Sequence, residues 1–157
     1  MSPRLRAATT ADLPRVEHLL VDAGLITAGV AEHIEQFILA EDNGQVVGSA
    51  GLERYGAQAL LRSVAVAPQY RNHGLGRTLV RRVLDGALRD QVREVYLFTN
   101  AAPEYFRLLG FKPIGRDDVA DSVRASQEYG ECCSGAQAMV LRLSRPSGWE
   151  DVDDPSG

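Results

Sequence analysis

With 157 residues and 45% hydrophobic side chains, the chain has the size and composition of one domain with a core of its own. Its formal charge of -4 comes from the end of the chain, where Glu150, Asp151, Asp153 and Asp154 cluster; without them 17 acidic residues face 17 basic ones, a neutral body without the footprint of a nucleic-acid binder. No apolar run approaches the roughly 20 residues needed to cross a bilayer, and Met1 to Thr10 lacks the apolar segment of a secretory signal, so a cytoplasmic protein with no membrane partner is expected.

The elements follow in chain order. "RLRAAT" (Arg4 to Thr9) reads as a short strand, and a helix is predicted from Asp12 to Ala23, with Asp12 as N-cap, Pro14 in the first turn and an apolar stripe of Leu13, Val16, Leu19, Leu20 and Ala23. A second short helix is expected over Ala28 to Gln36. "FILAED" and "QVVGSAGLER" then form a hairpin across Asn43-Gly44, the strongest short-range turn signal in the chain. "ALLRSVAVA" (Ala59 to Ala67) is the next strand. After a glycine-containing loop, Leu75, Leu79, Val80, Val83, Leu84, Ala87 and Leu88 make one stripe of a long helix. "EVYLFT" is a strand, "PEYFRLLG" a helix closed by Gly110, and "FKPIG" a strand. A helix from Asp117 to Glu128 and the strand "AMVLRLS" complete a body of residues 1–145. The tail, 146–157, is acidic, rich in Pro, Gly and Ser, and expected to be disordered.

A helix joining Ala67 to Val95 is long enough to make those two strands parallel neighbours by a right-handed crossover. The loop Gln69 to Gly76 therefore lies at the carboxyl end of a strand and the amino end of a helix. Unpaired N–H groups and the positive end of the helix dipole suit a phosphate there. A nucleotide triphosphatase loop is excluded because Arg77, not lysine, follows Gly76. A dinucleotide fingerprint is excluded because Leu79 stands where its third glycine belongs.

What remains, Arg71-x-x-Gly74-x-Gly76 after an apolar strand, resembles the acyl-CoA signature of the GNAT superfamily of N-acetyltransferases. "SVAVAPQYR" before the loop and "YFRLLGF" (Tyr105 to Phe111) after the next strand carry the resemblance further, to nearly the whole body. It implies a mixed, mostly antiparallel α/β sheet of six to seven strands, helices on both faces, and a splayed parallel strand pair holding the cofactor. It implies acetyl-CoA as donor, with Arg71, Asn72, His73, Gly74, Leu75, Gly76, Arg77 and Thr78 around the pyrophosphate. Glycine at 74 and 76 lets backbone N–H groups approach its oxygens, Arg71 and Arg77 add charged donors, and His73 either contacts phosphate or faces solvent. The resemblance assigns Val64, Ala65 and Val66 to the pantetheine arm, with an N–H near Val64 polarising the thioester, and gives Asn100 and Phe106 a place beside the cofactor. The family's tyrosine that protonates the departing thiolate falls on Phe106; Tyr105 stands one residue earlier, rotated by about 100°, so Tyr105 serves either catalysis or packing.

An acceptor amine must lose a proton before it attacks. Glu53, near the end of a strand beside the cofactor strand, is the first candidate base, ahead of Glu41 and Glu104. Arg62 and Ser63 precede the pantetheine segment on an otherwise apolar strand. A buried guanidinium needs a partner, either an acceptor carboxylate or an acidic residue of the next strand. Together with "ECCSGAQAMVLRL", the pattern looks most like the arsenic-resistance (type two) branch, and more distantly like the acetyltransferase domain of N-acetylglutamate synthase. The resemblance implies a small amine acceptor that is amino-acid-like and anionic, an arsenical or phosphinic amino acid among the options. Acetylation of a protein or peptide N-terminus and a non-catalytic acyl-CoA sensor are the alternatives. The adjacent Cys132 and Cys133 fit a reducing compartment and are read as packing or acceptor-pocket residues, with no metal site expected. Homodimerisation stays open.

Overall fold

Asn43 and Gly44 both take positive φ, 54° and 77°, the geometry of a two-residue hairpin turn. They join β2 (Phe37–Asp42) to β3 (Gln45–Tyr55), the first hairpin of the sheet. The computed structural model describes residues 2–100, 102–126 and 136–143. Cys132, Cys133 and the acidic tail lie outside the described residues.

Seven strands form one sheet: β1 (Arg4–Ala7), β2, β3, β4 (Gln58–Val66), β5 (Glu94–Thr99), β6 (Lys112–Ile114) and β7 (Gln137–Arg142), in the spatial order β1-β2-β3-β4-β5-β7-β6. Every neighbouring pair is antiparallel except β4 and β5, which are parallel. The crossover between those two is α3 (Leu75–Arg89), the amphipathic helix expected from its stripe, with Leu79, Val80, Val83 and Ala87 buried. It packs on one sheet face against Ala50, Leu52, Leu61 and Val95. The opposite face carries α1 (Leu13–Asp22) and the short α2 (Val30–His33), which bury Val16, Leu20 and Val30 over Phe37, Leu39 and Ala65. Farther along that face, Val119 and Val123 of the segment containing α5 (Asp121–Arg124) cover Leu60, Tyr96 and Val140. A last short helix, α4 (Pro103–Leu108), starts on Pro103 as expected and leads through Gly110, with φ 106°, into the buried Phe111. Among the described residues no helix is long and apolar enough to cross a membrane.

Three local expectations need correction. Asp12 precedes α1 but does not cap it with its side chain; its buried carboxylate binds Arg6 and Arg15 and accepts the Thr9 N–H at 2.8 Å. The helix expected over Ala28 to Gln36 is one α turn followed by a 3-10 turn, Ile34–Gln36. The helix expected from Asp117 is broken where Val119 and Ala120 are extended, which turns Val119 into the core and leaves its carbonyl to accept the Arg124 Nε–H at 3.1 Å.

Two features of β4 shape the space between it and its parallel neighbour. It pairs with β5 only where Gln58, Ala59 and Leu60 face Glu94, Val95 and Tyr96, and beyond Leu60 the two strands part. Its antiparallel register with β3 jumps from Ser49↔Ala65 to Gly51↔Arg62, so β4 carries one extra residue there, a β-bulge. Ser63 sits in the bulge at φ 60°, an uncommon conformation for a residue with a Cβ. The Ser49 hydroxyl donates to the Ser63 carbonyl at 2.7 Å and holds the bulge in place.

Gly51 faces Phe37 across the sheet, and the fully buried Phe37 ring occupies the space that a Cβ at 51 would need. A Gly51→Ala variant is expected to lose about 1–3 kcal/mol of stability by overpacking. Urea denaturation checks this; an unchanged midpoint and slope would show that the ring yields at no cost.

Candidate active site

Where β4 and β5 part, a cavity of about 930 Å³ opens between them. Its floor is β4 from Leu61 to Val66, with Leu97, Phe98 and Thr99 of β5 opposite. One end is the loop from Tyr70 to Arg77, and the other is the turn Ala23, Gly24, Leu25 and Ile26 that comes after α1.

The loop end is built for an anion. Asn72 and Gly74 take left-handed φ of 68° and 81°, which turns the chain sharply into α3. The first-turn N–H groups of a helix have no intrahelical acceptor; here the ladder begins when the Thr78 N–H bonds to the Gly74 carbonyl at 3.1 Å. The groups of Leu75, Gly76 and Arg77 therefore stand at the cavity with the positive end of the α3 dipole behind them. The Arg71 Nε–H donates to the Val66 carbonyl at 2.8 Å, tying the loop to the end of the strand. An added Cβ at Gly76 would lie 2.7 Å from the Tyr105 hydroxyl, so the glycine lets the tyrosine approach the helix closely.

The sequence-predicted residues separate into those on this cavity and those away from it. Arg62, Ser63, Val64, Ala65, Val66, Arg71, Asn72, Gly74, Leu75, Gly76, Arg77, Asn100, Tyr105 and Phe106 line it. His73 is exposed, and Thr78 turns its hydroxyl back to the Gly74 carbonyl at 3.0 Å. Phe106 is also a core residue, its ring edge-on to Phe111 at 6.0 Å. Tyr105 is the half-exposed member of that aromatic pair; burial raises its pKa and the nearby Arg77 opposes the rise. Glu41 pairs with Arg6 at 2.5 Å beside β1, and Glu104 lies on the surface, 3.7 Å from Arg107.

Glu53 is not the solvated side chain that a strand end would suggest, and Arg62 has a partner, as its apolar strand requires. Both are buried, on the sheet face that carries α1 and α2, and they form a salt bridge of 2.7 Å between β3 and β4. An acidic residue is thus a partner of the Arg62 guanidinium, but it comes from the preceding strand, β3, and not from the next one. The Arg62 Nε–H donates to the Ser63 hydroxyl at 3.0 Å, and its terminal nitrogens donate to the carbonyls of Ala28 at 2.6 Å and Ile26 at 2.9 Å. The Tyr55 hydroxyl donates to the other Glu53 oxygen at 2.5 Å, and His33 approaches that oxygen at 3.9 Å. Burial works against the Glu53 charge, but the hydrogen bonds from Tyr55, Arg62 and Ser126 outweigh it and hold the carboxyl below its ordinary range. The same contact, with burial leading, pushes the Tyr55 hydroxyl up to about 12.

Sequence reasoning missed the turn after α1 as a cavity wall and Ser49 as the brace of the bulge. The sequence signal used at the turn is Gly24, which reads as a helix stop; Gly29 falls inside the helix expected over Ala28 to Gln36. Nothing local to Ser49 announces a contact 14 residues away.

Residues 33–113, which run from the end of α2 to β6 and include the bulge, the loop and both parted strands, match the acetyltransferase (GNAT) domain family. The chain belongs to the GNAT acetyltransferase family. The amino-acid acetyltransferase of Mycobacterium tuberculosis is 32% identical, with 77% of this chain and 75% of that protein covered. That of Aeromonas salmonicida is 30% identical over 73% of this chain, and this chain spans only 28% of its length. N-acetylglutamate synthase from Neisseria gonorrhoeae, solved with coenzyme A and N-acetyl-glutamate, superposes with a TM-score of 0.79 at 22% identity, covering 92% of this chain and 36% of that one. This last likeness is one of fold, and it accords with the seven-stranded mixed sheet of the GNAT chain.

Breaking a buried ion pair from one side strands the other charge. Arg62→Met is accordingly expected to cost about 3–5 kcal/mol, and the double variant Glu53→Gln/Arg62→Met clearly less. Denaturation curves of the two variants provide the check. A double variant no more stable than the single would show that the cost lies elsewhere than in the stranded Glu53 charge.

Proposed function

We propose that this GNAT domain is an acetyl-CoA-dependent N-acetyltransferase that transfers the acetyl group by direct attack of a small amino-acid-like amine on the thioester. The observation that carries this reading is the cavity itself. A strand with its edge released by the parting of β4 from β5 leads straight to a glycine loop at a helix amino terminus. An elongated thioester with a pyrophosphate at its far end is the ligand that fits both ends at once.

In this reading Arg71 to Thr78 hold the pyrophosphate, through the first-turn N–H groups of α3 and the charges of Arg71 and Arg77. The edge of β4 that β5 leaves uncovered, at Val64 to Val66, takes the amides of the pantetheine arm, with the Val66 carbonyl already held by the Arg71 Nε–H. The Val64 N–H polarises the thioester carbonyl and stabilises the tetrahedral oxyanion. The neutral amine attacks the carbonyl carbon and forms the C–N bond of that tetrahedral intermediate, the nitrogen gives up its extra proton to water, and collapse breaks the C–S bond with the electron pair leaving on sulfur. A thiol with a pKa near 8.5 is a tolerable leaving group, so water suffices to protonate it. The Tyr105 hydroxyl, beside Gly76, serves the phosphate end of the donor in preference to the sulfur. The acceptor enters on the side of Gly24, Leu25 and Ile26. The acetyltransferase relatives named for amino acids favour an amino-acid acceptor, and arsenical and phosphinic amino acids fall within that class.

Release of free CoA thiol from acetyl-CoA, measured against a panel of amino acids that includes phosphinic and arsenic-containing ones, is the direct test. Amine-dependent turnover is expected, with one acceptor class preferred. Tight acetyl-CoA binding without any amine-dependent turnover would favour a sensor and overturn the enzyme reading. Gly76→Leu is expected to weaken acetyl-CoA binding about tenfold or more in calorimetry, with the circular dichroism spectrum unchanged. An unaltered affinity would remove the pyrophosphate from this loop.

A further inference from the structure

The acceptor side of the cavity is walled by a turn with little structure of its own. Between α1 and α2 the chain is flanked by Gly24 and Gly29, both with positive φ, 75° and 86°. Backbone hydrogen bonds join the Leu25 N–H to the Leu20 carbonyl at 2.9 Å and the Val30 N–H to the Thr27 carbonyl at 3.1 Å. Between those two points, the carbonyls of Ile26 and Ala28 are both taken by one side chain, Arg62, which reaches them from β4. Leu25 and Ile26 of this turn line the cavity, as does Arg62 itself.

Arg62 is held in turn. A planar guanidinium has five N–H donors in a fixed fork. Here the fork spans two turn carbonyls, the Ser63 hydroxyl and the Glu53 carboxylate, with a side chain that is 0% exposed. Glu53 neutralises it and is itself fixed by Tyr55, two residues along β3. One buried unit thus joins β3, the bulge of β4 and the turn after α1. Glu53 does not line the cavity; among the described residues that bond to it, Arg62 is the one that does.

We infer that Glu53 and Arg62 act together as a positioning unit: the pair fixes the turn at residues 24–28 as the acceptor wall and thereby sets which amines reach the thioester. The inference rests on the acetyl-transfer reading of the cavity. It replaces a proton-accepting role for Glu53 and a carboxylate-clamping role for Arg62, because both charges already serve each other and the turn. The acceptor then meets Leu25 and Ile26, whose placement depends on the pair, and does not meet the pair's charges.

The test uses the whole chain with Glu53→Gln/Arg62→Met, which keeps the volume and removes both charges together. Thiol release is followed at saturating acetyl-CoA with an anionic and a neutral amino-acid acceptor of matched size. A loosened wall is expected to raise KM for both acceptors by the same factor, about tenfold, with kcat and its pH profile nearly unchanged. The KM for acetyl-CoA should not move. Hydrogen exchange at residues 25–28 should quicken while that of residues 75–80 holds. A KM rise confined to the anionic acceptor would overturn the inference and place Arg62 in direct contact with substrate charge. A fall in kcat with loss of the acid limb would overturn it in favour of Glu53 as base. An unchanged KM with unchanged exchange would show that the pair holds nothing. If the double variant does not fold, Arg62→Lys keeps a cation for Glu53 but puts one nitrogen where the fork uses three to hold the two carbonyls, Ser63 and Glu53, and the same signature is expected. Hydrogen exchange needs no turnover, so failure of the enzyme reading and failure of the wall are told apart.

Discussion

The structure depends on β4 leaving β5 after Leu60. In a packed sheet each backbone N–H and C=O is paired, and releasing a run of them is costly unless a ligand or water replaces the lost partners. Here the release is forced from the other edge of the same strand. The extra residue between Arg62 and Ala65, with Ser63 left-handed and its carbonyl held by Ser49, bends β4 away from its parallel neighbour. The direction of the bend carries Val64 to Val66 along one side of a cavity that ends at the amino terminus of α3. A strand edge for amides and a helix end for phosphates are thus produced by one local irregularity.

The second constraint is the buried pair Glu53 and Arg62. Two charges taken from water do not add much stability as such, because desolvation offsets their attraction. Their value here is geometric. On one sheet face the apolar cluster under α1 and α2 is separate from the cluster under the α5 segment, Leu60 belonging to the second and Ala65 to the first. Arg62 lies between Leu60 and Ala65 in chain order, at the seam, where a turn with glycines at both ends would otherwise be held weakly. Directional hydrogen bonds do there what non-directional apolar packing does not, since they select one placement of the turn.

Much of this was legible in the sequence where the signal is local. The hairpin at Asn43-Gly44, the stripe of α3, the Pro103 start of α4 and the glycine loop all derive from conformational preferences of a few adjacent residues, and from them the mixed sheet and the parallel pair could be placed, while the role of Val64 to Val66 came from the family resemblance. Signals that depend on distant partners were not legible. Glu53 reads as a solvated strand end because its neighbours do not reveal that Arg62 and Tyr55 surround it. Asp12 reads as a helix cap, although Arg6 claims its carboxylate from β1. The helix expected from Asp117 is interrupted because burial of Val119 outweighs helix propensity. Tyr105, one place from the family's position, could not be assigned to cavity or core by spacing; the approach of its hydroxyl to Gly76 brings together residues far apart in the chain, which no periodicity encodes.

The central claim is that the parted edge of β4 and the loop into α3 form one binding site for acetyl-CoA. Backbone amide chemical-shift mapping during titration with acetyl-CoA tests it most directly. The account predicts saturable shifts at Val64 to Val66 and at Arg71 to Thr78 together, reached at one equivalent. Saturable binding that shifts other amides and leaves both of these segments unmoved, or no saturable binding at all, would contradict it.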